Sequence, residues 1–383
     1  MDSIPKISSI SIETPQVTVI VPTINEAENF PELLRRIDAA LGPWSYEVII
    51  VDDNSADDTP AVCAKLAATY PLRLMVRSEP KNGLSGAVLY GMAEARGEFL
   101  CVMDADLQHP PEKLPELLAP LQNGTADFVV GSRYMPGGST DGTWGTLRKI
   151  NSRVATLLAR PFAGNITDPM AGFFALRRTT YAGAQQLTPL GYKIALELMC
   201  KSRVTAVKEI PIHFGLRQKG RSKLSLKQQF RYLEHLSRLY DFKYPRLSPV
   251  FKFLIATLIS WIVGVAGFIY QGGAHRPVYA VAAAYPAAIL ITAIFHLRYV
   301  RTQREFIPRR HPWLDFAAIT AAEWIVCVWT AHWTWHHLLD PTPADIFVFS
   351  FGAATLTRYI LRKEFMQDIR GLRKTLPREI EAG

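Results

Sequence analysis

The stretch MDADLQHPPE, residues 103–112, places two carboxylates one residue apart, Asp104 and Asp106, and a carboxamide, Gln108, two positions further on. In an extended segment residues i and i+2 leave the same face, so both carboxylates can share one hard cation. Oxygen-only ligands favour magnesium or manganese over zinc, and no His/Cys cluster competes. Mg2+ or Mn2+ is therefore the expected cofactor. Magnesium takes one or two carboxylates and completes its shell with water and phosphate oxygens, which makes a diphosphate the natural further ligand. His109, immediately before Pro110, is read as structural. A lone Asp-x-Asp occurs often by chance, so its meaning depends on the element that carries it.

That element is one of a series. Short apolar, β-branched runs recur at 17–21, 46–52, 72–76, 98–104 and 127–132, with helical patterns between them. Phe30, Leu33, Leu34, Ile37 and Leu41 follow the i, i+3, i+4, i+7 spacing, as do Leu84, Ala87, Val88, Gly91, Met92 and Ala95. Asn25 and Glu28 are spaced for a capping box, with Pro31 blurring the helix start by a turn. Strand and helix alternating at this rhythm predict an α/β domain with a mostly parallel sheet covered on both faces. Ligands bind such sheets beyond the carboxyl ends of the strands. The five expected strands run into Pro22, Asn25 and Glu26; Asp52, Asp53 and Asp57; Lys81, Asn82 and Gly83; Asp104 and Asp106; and Ser132 and Arg133. Five polar strand ends on one rim predict an active site there.

Composition narrows the class. With 20% charged and 49% hydrophobic residues, the 383-residue chain can bury a core, and its length suits two domains. The net charge of +9 is unevenly spread: residues 1–225 hold 24 basic and 23 acidic residues, residues 226–383 hold 19 and 11. The excess lies in the C-terminal part, which removes the case for nucleic-acid binding. Cys63, Cys101, Cys200 and Cys327 show no metal or CxxC spacing and fit a reducing compartment. MDSIPKISSISIETPQ has no apolar h-region, so no cleavable signal peptide is expected. There is no GxxxxGK[ST] and no GxGxxG after the first strand, so a nucleotide would be held otherwise.

The segments PTINEAEN, VDDNSADDT, GLSGAVLYGMAEARGE, MDADLQHPPE, VVGSRY, DPMAGFFALRR, GYKIALEL and FGLRQKGRSKLSL resemble, in order, the motifs of dolichyl-phosphate mannose synthase and its polyprenyl-phosphate hexose synthase relatives. These are inverting glycosyltransferases of the GT-A fold, and the resemblance covers about residues 16–245. It implies that Pro22, Glu26, Asp53 and Lys81 line the nucleotide pocket, with Asp53 reaching the base or ribose; Asn25 and Asp52, at the same strand ends, join them as candidate substrate-binding residues. It implies that Asp104, Asp106 and Gln108 hold the metal on the diphosphate. Arg133 and Arg148 would face phosphate groups, Lys193 and Glu197 would approach the sugar, and Arg217, Ser222 and Lys223 would close over donor and acceptor. Arginine forks match phosphate oxygens and lysine supplies point charge, which agrees with the cationic part. Arg148 reads equally well as a solvated helix charge.

The C-terminal third reads as membrane. Residues 253–270 and 277–297 carry no charge, and 316–339 carry one acid, Glu323. Each is long enough to span. A fourth stretch, 346–361, is weaker: its uncharged core ends at Thr357, and Arg358 would have to snorkel. Basic residues cluster before the first span (Lys243, Arg246, Lys252), after the second (Arg298, Arg301, Arg304, Arg309, Arg310) and in the tail (Arg358, Arg362, Lys363, Arg370, Arg373, Lys374, Arg378). The positive-inside rule then gives four spans with the catalytic domain and both termini cytosolic. Leu226, Phe230, Leu233, Leu236 and Tyr240 form the apolar stripe of a helix expected on the bilayer surface. The membrane part loosely resembles GtrA-like domains. The expected organisation is a tail at 1–15, a GT-A domain at 16–225, an interfacial helix at 226–250, a four-span domain at 251–361 and a basic tail at 362–383.

Together these features predict a metal-dependent integral membrane transferase moving one hexose from a nucleotide sugar, GDP-mannose first and UDP-glucose second, to a polyprenyl or dolichyl phosphate. Self-association into a homo-oligomer stays open. Two rivals are a processive polysaccharide synthase, suggested by Gln228, Arg231 and Tyr232 with Tyr where the signature has Trp, and a lipid-linked-sugar translocator whose first domain only binds.

Overall fold

The computed structural model describes residues 14–141, 146–188, 190–191, 193–202, 204–215, 226–295 and 312–375. The chain divides into two compact units, Met1–Lys243 and Tyr244–Gly383.

In the first unit the elements run β1 (Val17–Thr23), α1 (Phe30–Leu41), β2 (Tyr46–Asp52), α2 (Thr59–Leu66), β3 (Leu72–Val76), α3 (Gly83–Glu94), β4 (Phe99–Val102), α4 (Leu114–Gln122), β5 (Phe128–Ser132), β6 (Ser139–Thr140), α5 (Thr146–Ala163), β7 (Phe174–Arg177), α6 (Arg178–Ala182), α7 (Ile194–Lys201), β8 (Val207–Pro211), β9 (His213–Phe214) and α8 (Leu226–Lys243). Seven strands form one sheet in the order β3-β2-β1-β4-β7-β5-β8, and β6 pairs with β9. All five strands expected from the sequence are present. Every residue of β1 is buried, as a central parallel strand covered on both faces requires. The predicted apolar face of α1 is the buried one: Phe30, Leu33, Leu34, Ile37 and Leu41 are each at most 1% exposed. Fully burying such side chains contributes about 1.5–3 kcal/mol apiece. On α3, a Cβ at Gly91 would lie 2.6 Å from Ile20 Cγ2, so the missing side chain lets the helix approach β1 closely.

Two departures matter for the site. No capping box forms: Asn25 adopts φ 57° and its Oδ1 accepts a hydrogen bond from Ala56 N at 2.8 Å, joining the loops after β1 and β2. The second departure is β7, inserted antiparallel to both β4 and β5. Because β7 runs backwards, the loop that precedes it arrives at the same edge where β1, β2, β4 and β5 end. At four residues, FALR is too short for periodicity to distinguish a strand from a helix turn.

Helix α8 lays part of its stripe on its own unit. Leu236 and Leu239 are at most 3% exposed, and the hydroxyls of Tyr232 and Tyr240 donate to Ala155 O at 2.8 Å and Leu158 O at 3.2 Å on α5. Phe230 and Leu233 stay exposed.

The second unit holds α9 (Ser248–Tyr270), α10 (Pro277–Phe295), α11 (Pro312–His337) and α12 (Pro343–Thr375). Among the described residues two stretches, Val250–Tyr270 and Pro343–Leu361, are long and apolar enough to cross a membrane. The four helices overlap the four apolar stretches of the sequence, with α12 continuing past 361. The snorkelling expected of Arg358 is not what the structure has. Arg358 is 2% exposed, its Nε donates to Glu323 Oε2 on α11 at 3.0 Å, and its Nη2 to the Tyr285 hydroxyl on α10 at 3.2 Å. A partner inside the bundle replaces water at the bundle's end, so the long side chain turns inward.

Candidate active site

The chain leaves β4 into a tight turn. Asp104 N donates to His109 Nδ1 at 3.0 Å, Leu107 takes φ 62°, and Gln108 N donates to Asp106 Oδ1 at 3.2 Å. Gln108 is held from the other side, its Nε2 donating to Gly215 O at 2.9 Å, which leaves Oε1 as the oxygen it presents. His109 is structural, as expected: it is 3% exposed, stacks on Phe173 at 5.3 Å between ring centroids, and burial pushes its imidazole pKa down. The loop before β7 abuts the same turn, where a Cβ at Gly172 would lie 3.4 Å from Asp104 Oδ2.

Among the described residues no three His, Cys, Asp or Glu side chains gather to hold a metal by themselves. Two carboxylates and one amide oxygen on a single turn still suit a hard divalent cation that takes its remaining ligands from phosphate and water. The donor set fits magnesium or manganese. It does not fit a metal needing a protein-built shell.

Arg133, just past β5, is bound by a residue that sequence reasoning missed. Its Nε donates to Asp168 Oδ2 at 2.6 Å and its Nη2 to Asp168 Oδ1 at 2.9 Å. Asp168, 1% exposed, is fixed in turn: Glu209 on β8 accepts from Asp168 N at 3.0 Å and from Thr167 N at 2.9 Å. Asp168 opens the segment DPMAGFFALRR, but only the backward run of β7 brings it to Arg133. Lys193, before α7, donates to Met170 O at 2.8 Å. Burial, with the neighbouring Arg133 charge adding to it, lowers the Lys193 ammonium to about 8, while Asp168 and Asp104 oppose the shift. Asp104, Arg133, Asp168 and Lys193 thus share one local field.

Asp53 forms an ion pair with Arg77, 3.1 Å from Oδ1 to Nε, and burial raises its pKa against the pull of that guanidinium. Pro22 is a buried residue of β1. Glu26 Oε2 accepts from Asn29 Nδ2 at 2.5 Å, beside the exposed Asn25. Lys81 is exposed and lines, with Val76, Arg77, Asn82, Leu89 and Tyr90, an open groove of about 600 Å³. Asp52 departs from expectation: it is 1% exposed and accepts from Ser55 N and Oγ, so its carboxylate shapes the loop after β2.

Glu197 is a second correction. Its carboxylate is fully enclosed, 2.7 Å from Lys201 Nζ, 2.7 Å from Thr188 N and 3.4 Å from His235 Nε2 of α8. Burial opposes ionisation, but His235 and Lys201 outweigh it and hold the group at about 2. A carboxylate spent on three partners inside the protein does not approach a sugar. Its position on GYKIALEL, one helical turn from Lys193, could not reveal that α8 covers it. Arg217, Ser222 and Lys223 lie outside the described residues, as does the side chain of Arg148 on α5.

A mostly parallel sheet with helices on both faces and an Asp-x-Asp turn at the end of its fourth strand is a GT-A, Rossmann-like domain. Residues 18–182 match the family Glycosyl transferase family 2. The chain is 42% identical over 258 residues to a dolichol-phosphate mannosyltransferase of Pyrococcus furiosus, covering 67% of this chain and 72% of that one. It is 42% identical over 257 residues to that of Mycosarcoma maydis, covering 64% and 86%. Among solved structures, glucosyl-3-phosphoglycerate synthase of Mycobacterium tuberculosis aligns with a TM-score of 0.45 at 20% identity, over 59% of this chain and 80% of that one. The chain belongs to the dolichol-phosphate mannosyltransferase and polyprenyl-phosphate hexose synthase family of glycosyltransferases.

Proposed function

We propose that this glycosyltransferase moves mannose from GDP-mannose to a polyprenyl phosphate of the dolichyl type at the cytosolic face of a membrane. The observation that carries the reading is the meeting, on one rim, of the Asp104–Gln108 turn with the half-buried cations Arg133 and Lys193. The kinship to dolichol-phosphate mannosyltransferases supports the sugar and the lipid. The apolar stretches Val250–Tyr270 and Pro343–Leu361 support membrane attachment, and the basic clusters support a cytosolic catalytic unit.

Asp104, Asp106 and the Gln108 oxygen would hold Mg2+ or Mn2+. When bound, that ion offsets charge on the diphosphate leaving group. Arg133 and Lys193 place positive charge where two phosphate-bearing reactants must approach. An oxygen of the lipid phosphate attacks the anomeric carbon from the face opposite the diphosphate, the bond from that carbon to the diphosphate breaks, and GDP departs with inversion. No carboxylate base is needed, because a phosphate monoester with a second pKa near ~6 is already mostly dianionic at neutral pH. The enclosure of Glu197 agrees with this, since it withdraws a carboxylate that a hydroxyl acceptor would have required.

Purified full-length protein in detergent, given labelled GDP-mannose or UDP-glucose with and without polyprenyl phosphate, tests the reading. The expected result is a mannolipid formed from GDP-mannose alone, dependent on Mg2+ or Mn2+ and abolished by Asp106→Ala. Sugar polymer without lipid phosphate, or full turnover in excess chelator, would overturn it.

A further inference from the structure

Arg77 stands in the connection between β3 and α3, yet its side chain is 9% exposed. Its backbone N donates to Asp52 O at 2.8 Å, its Nε lies 3.1 Å from Asp53 Oδ1, and its Nη2 donates to Lys81 O at 2.7 Å. The surrounding backbone is shaped to admit it. Asn82 and Gly83 turn the chain at φ 65° and 56°. A Cβ at Gly86 would sit 2.3 Å from Lys81 O and 3.0 Å from Arg77 Nη1, so the first turn of α3 leaves room for the guanidinium only because residue 86 has no side chain. One guanidinium therefore joins the end of β2, through an ion pair that is not a hydrogen bond, to the turn that begins α3, through a hydrogen bond. A lysine carries the same charge but cannot reach a carboxylate and a carbonyl with fixed geometry at once.

We propose that Arg77 is a positioning residue for the nucleotide donor: by tying Asp53 to the Lys81 carbonyl, it presents the Asp53 carboxylate to the base or ribose in a single orientation. The inference rests on the donor-site reading above, in which Asp53 contacts the nucleotide. Arg77 itself need not touch the donor. It also walls the groove lined by Val76, Leu89 and Tyr90.

The electrostatics supply a readout that loop packing alone would not move. The charged groups facing Asp53 are Arg77 and Asp52; burial and Asp52 raise the Asp53 pKa, and Arg77 lowers it. Removing Arg77 must raise it further, so the acid limb of nucleotide binding moves to higher pH.

The test uses the full chain in detergent, with GDP titrated calorimetrically across the acid range and donor kinetics measured in parallel. Arg77→Gln should weaken GDP by about tenfold, move the acid limb upward, and raise the donor KM far more than it lowers kcat. Arg77→Lys should return the acid limb to its wild-type position while GDP stays weakened, because charge is restored and the fork is not. Should Arg77→Gln lose its thermal unfolding transition, Arg77→Lys carries the test by the same split. GDP bound equally by wild type and both variants at every pH would overturn the proposal. If wild-type protein binds UDP and not GDP, the donor reading falls and the Arg77 comparison is made with UDP by the same criteria. Binding of neither overturns both.

Discussion

Arg133 and Asp168 meet through two parallel hydrogen bonds, 2.6 Å and 2.9 Å, although 35 residues separate them and each belongs to a different approach to the rim. The pair uses two of the five N–H donors of the guanidinium, and the carboxylate holds its plane. Arg133 lies over the rings of Tyr134 and Phe214, 5.2 and 5.3 Å from their centroids, which further restricts it. Asp168→Asn keeps the size of the side chain and removes the charge. It should lower kcat/KM by about tenfold to a hundredfold, roughly 1.4–2.8 kcal/mol, through an Arg133 no longer held in place. Steady-state transfer kinetics on protein with a wild-type melting curve check this; unchanged kcat/KM would place the pair outside the reaction.

Lys193 carries a pH signature. Its ammonium is lowered to about 8, so it is charged at neutral pH and loses its charge as pH climbs through that value. The plot of kcat/KM, which reports the free enzyme, should fall on an alkaline limb near 8. Lys193→Arg should retain activity and lose that limb, since arginine stays charged throughout. Stability responds with the opposite sign: the unfolded chain holds this proton up to the ordinary lysine value of 10.5, so burial of Lys193 costs least above it, and stability rises across the interval from 8 to 10.5.

The Glu197, Lys201 and His235 cluster predicts a stability effect without a chemical one. Glu197 titrates at about 2 when folded against 4.5 when free, so its contribution is complete above 4.5 and is lost as pH falls from 4.5 to 2. Glu197→Gln leaves Lys201 buried without its counter-charge and should cost about 3 kcal/mol. Thermal unfolding in detergent should show a lower melting point at neutral pH and a smaller loss on acidification. Mannosyl transfer assayed well below the melting point should persist, and its abolition with normal GDP binding would implicate a carboxylate base.

Glu323 and Arg358 bind two helices of the second unit together at 3.0 Å, both at most 2% exposed. Neutralising either residue alone, by Glu323→Gln or Arg358→Met, strands the other charge and should cost about 3 kcal/mol. Glu323→Leu combined with Arg358→Met should recover most of that loss. A double-mutant cycle on thermal unfolding measures the coupling, and additive losses would show that the two side chains do not depend on each other.

Much of this was legible in the residues alone. Strand runs 17–21, 46–52 and 72–76 and the face of α1 are local patterns, and burial follows local pattern wherever a sheet is covered on both sides. Asp104, Asp106 and Gln108 lie within five residues, so their common turn was fixed by chain connectivity. What sequence could not disclose depends on which distant segments become neighbours. The short reversed strand β7 delivers Asp168 to Arg133, the missing side chain at Gly86 admits Arg77 beside Lys81, and α8 closes over Glu197 and turns an expected sugar contact into a buried ion pair. Spacing places Arg358 as a charge reaching for water, whereas packing supplies Glu323. Residue types alone say which groups could carry phosphate and metal chemistry and at which strand ends they stand. Which charges face a substrate and which face each other follows from packing, because pairing energies depend on distance and burial, and neither is written in spacing along the chain.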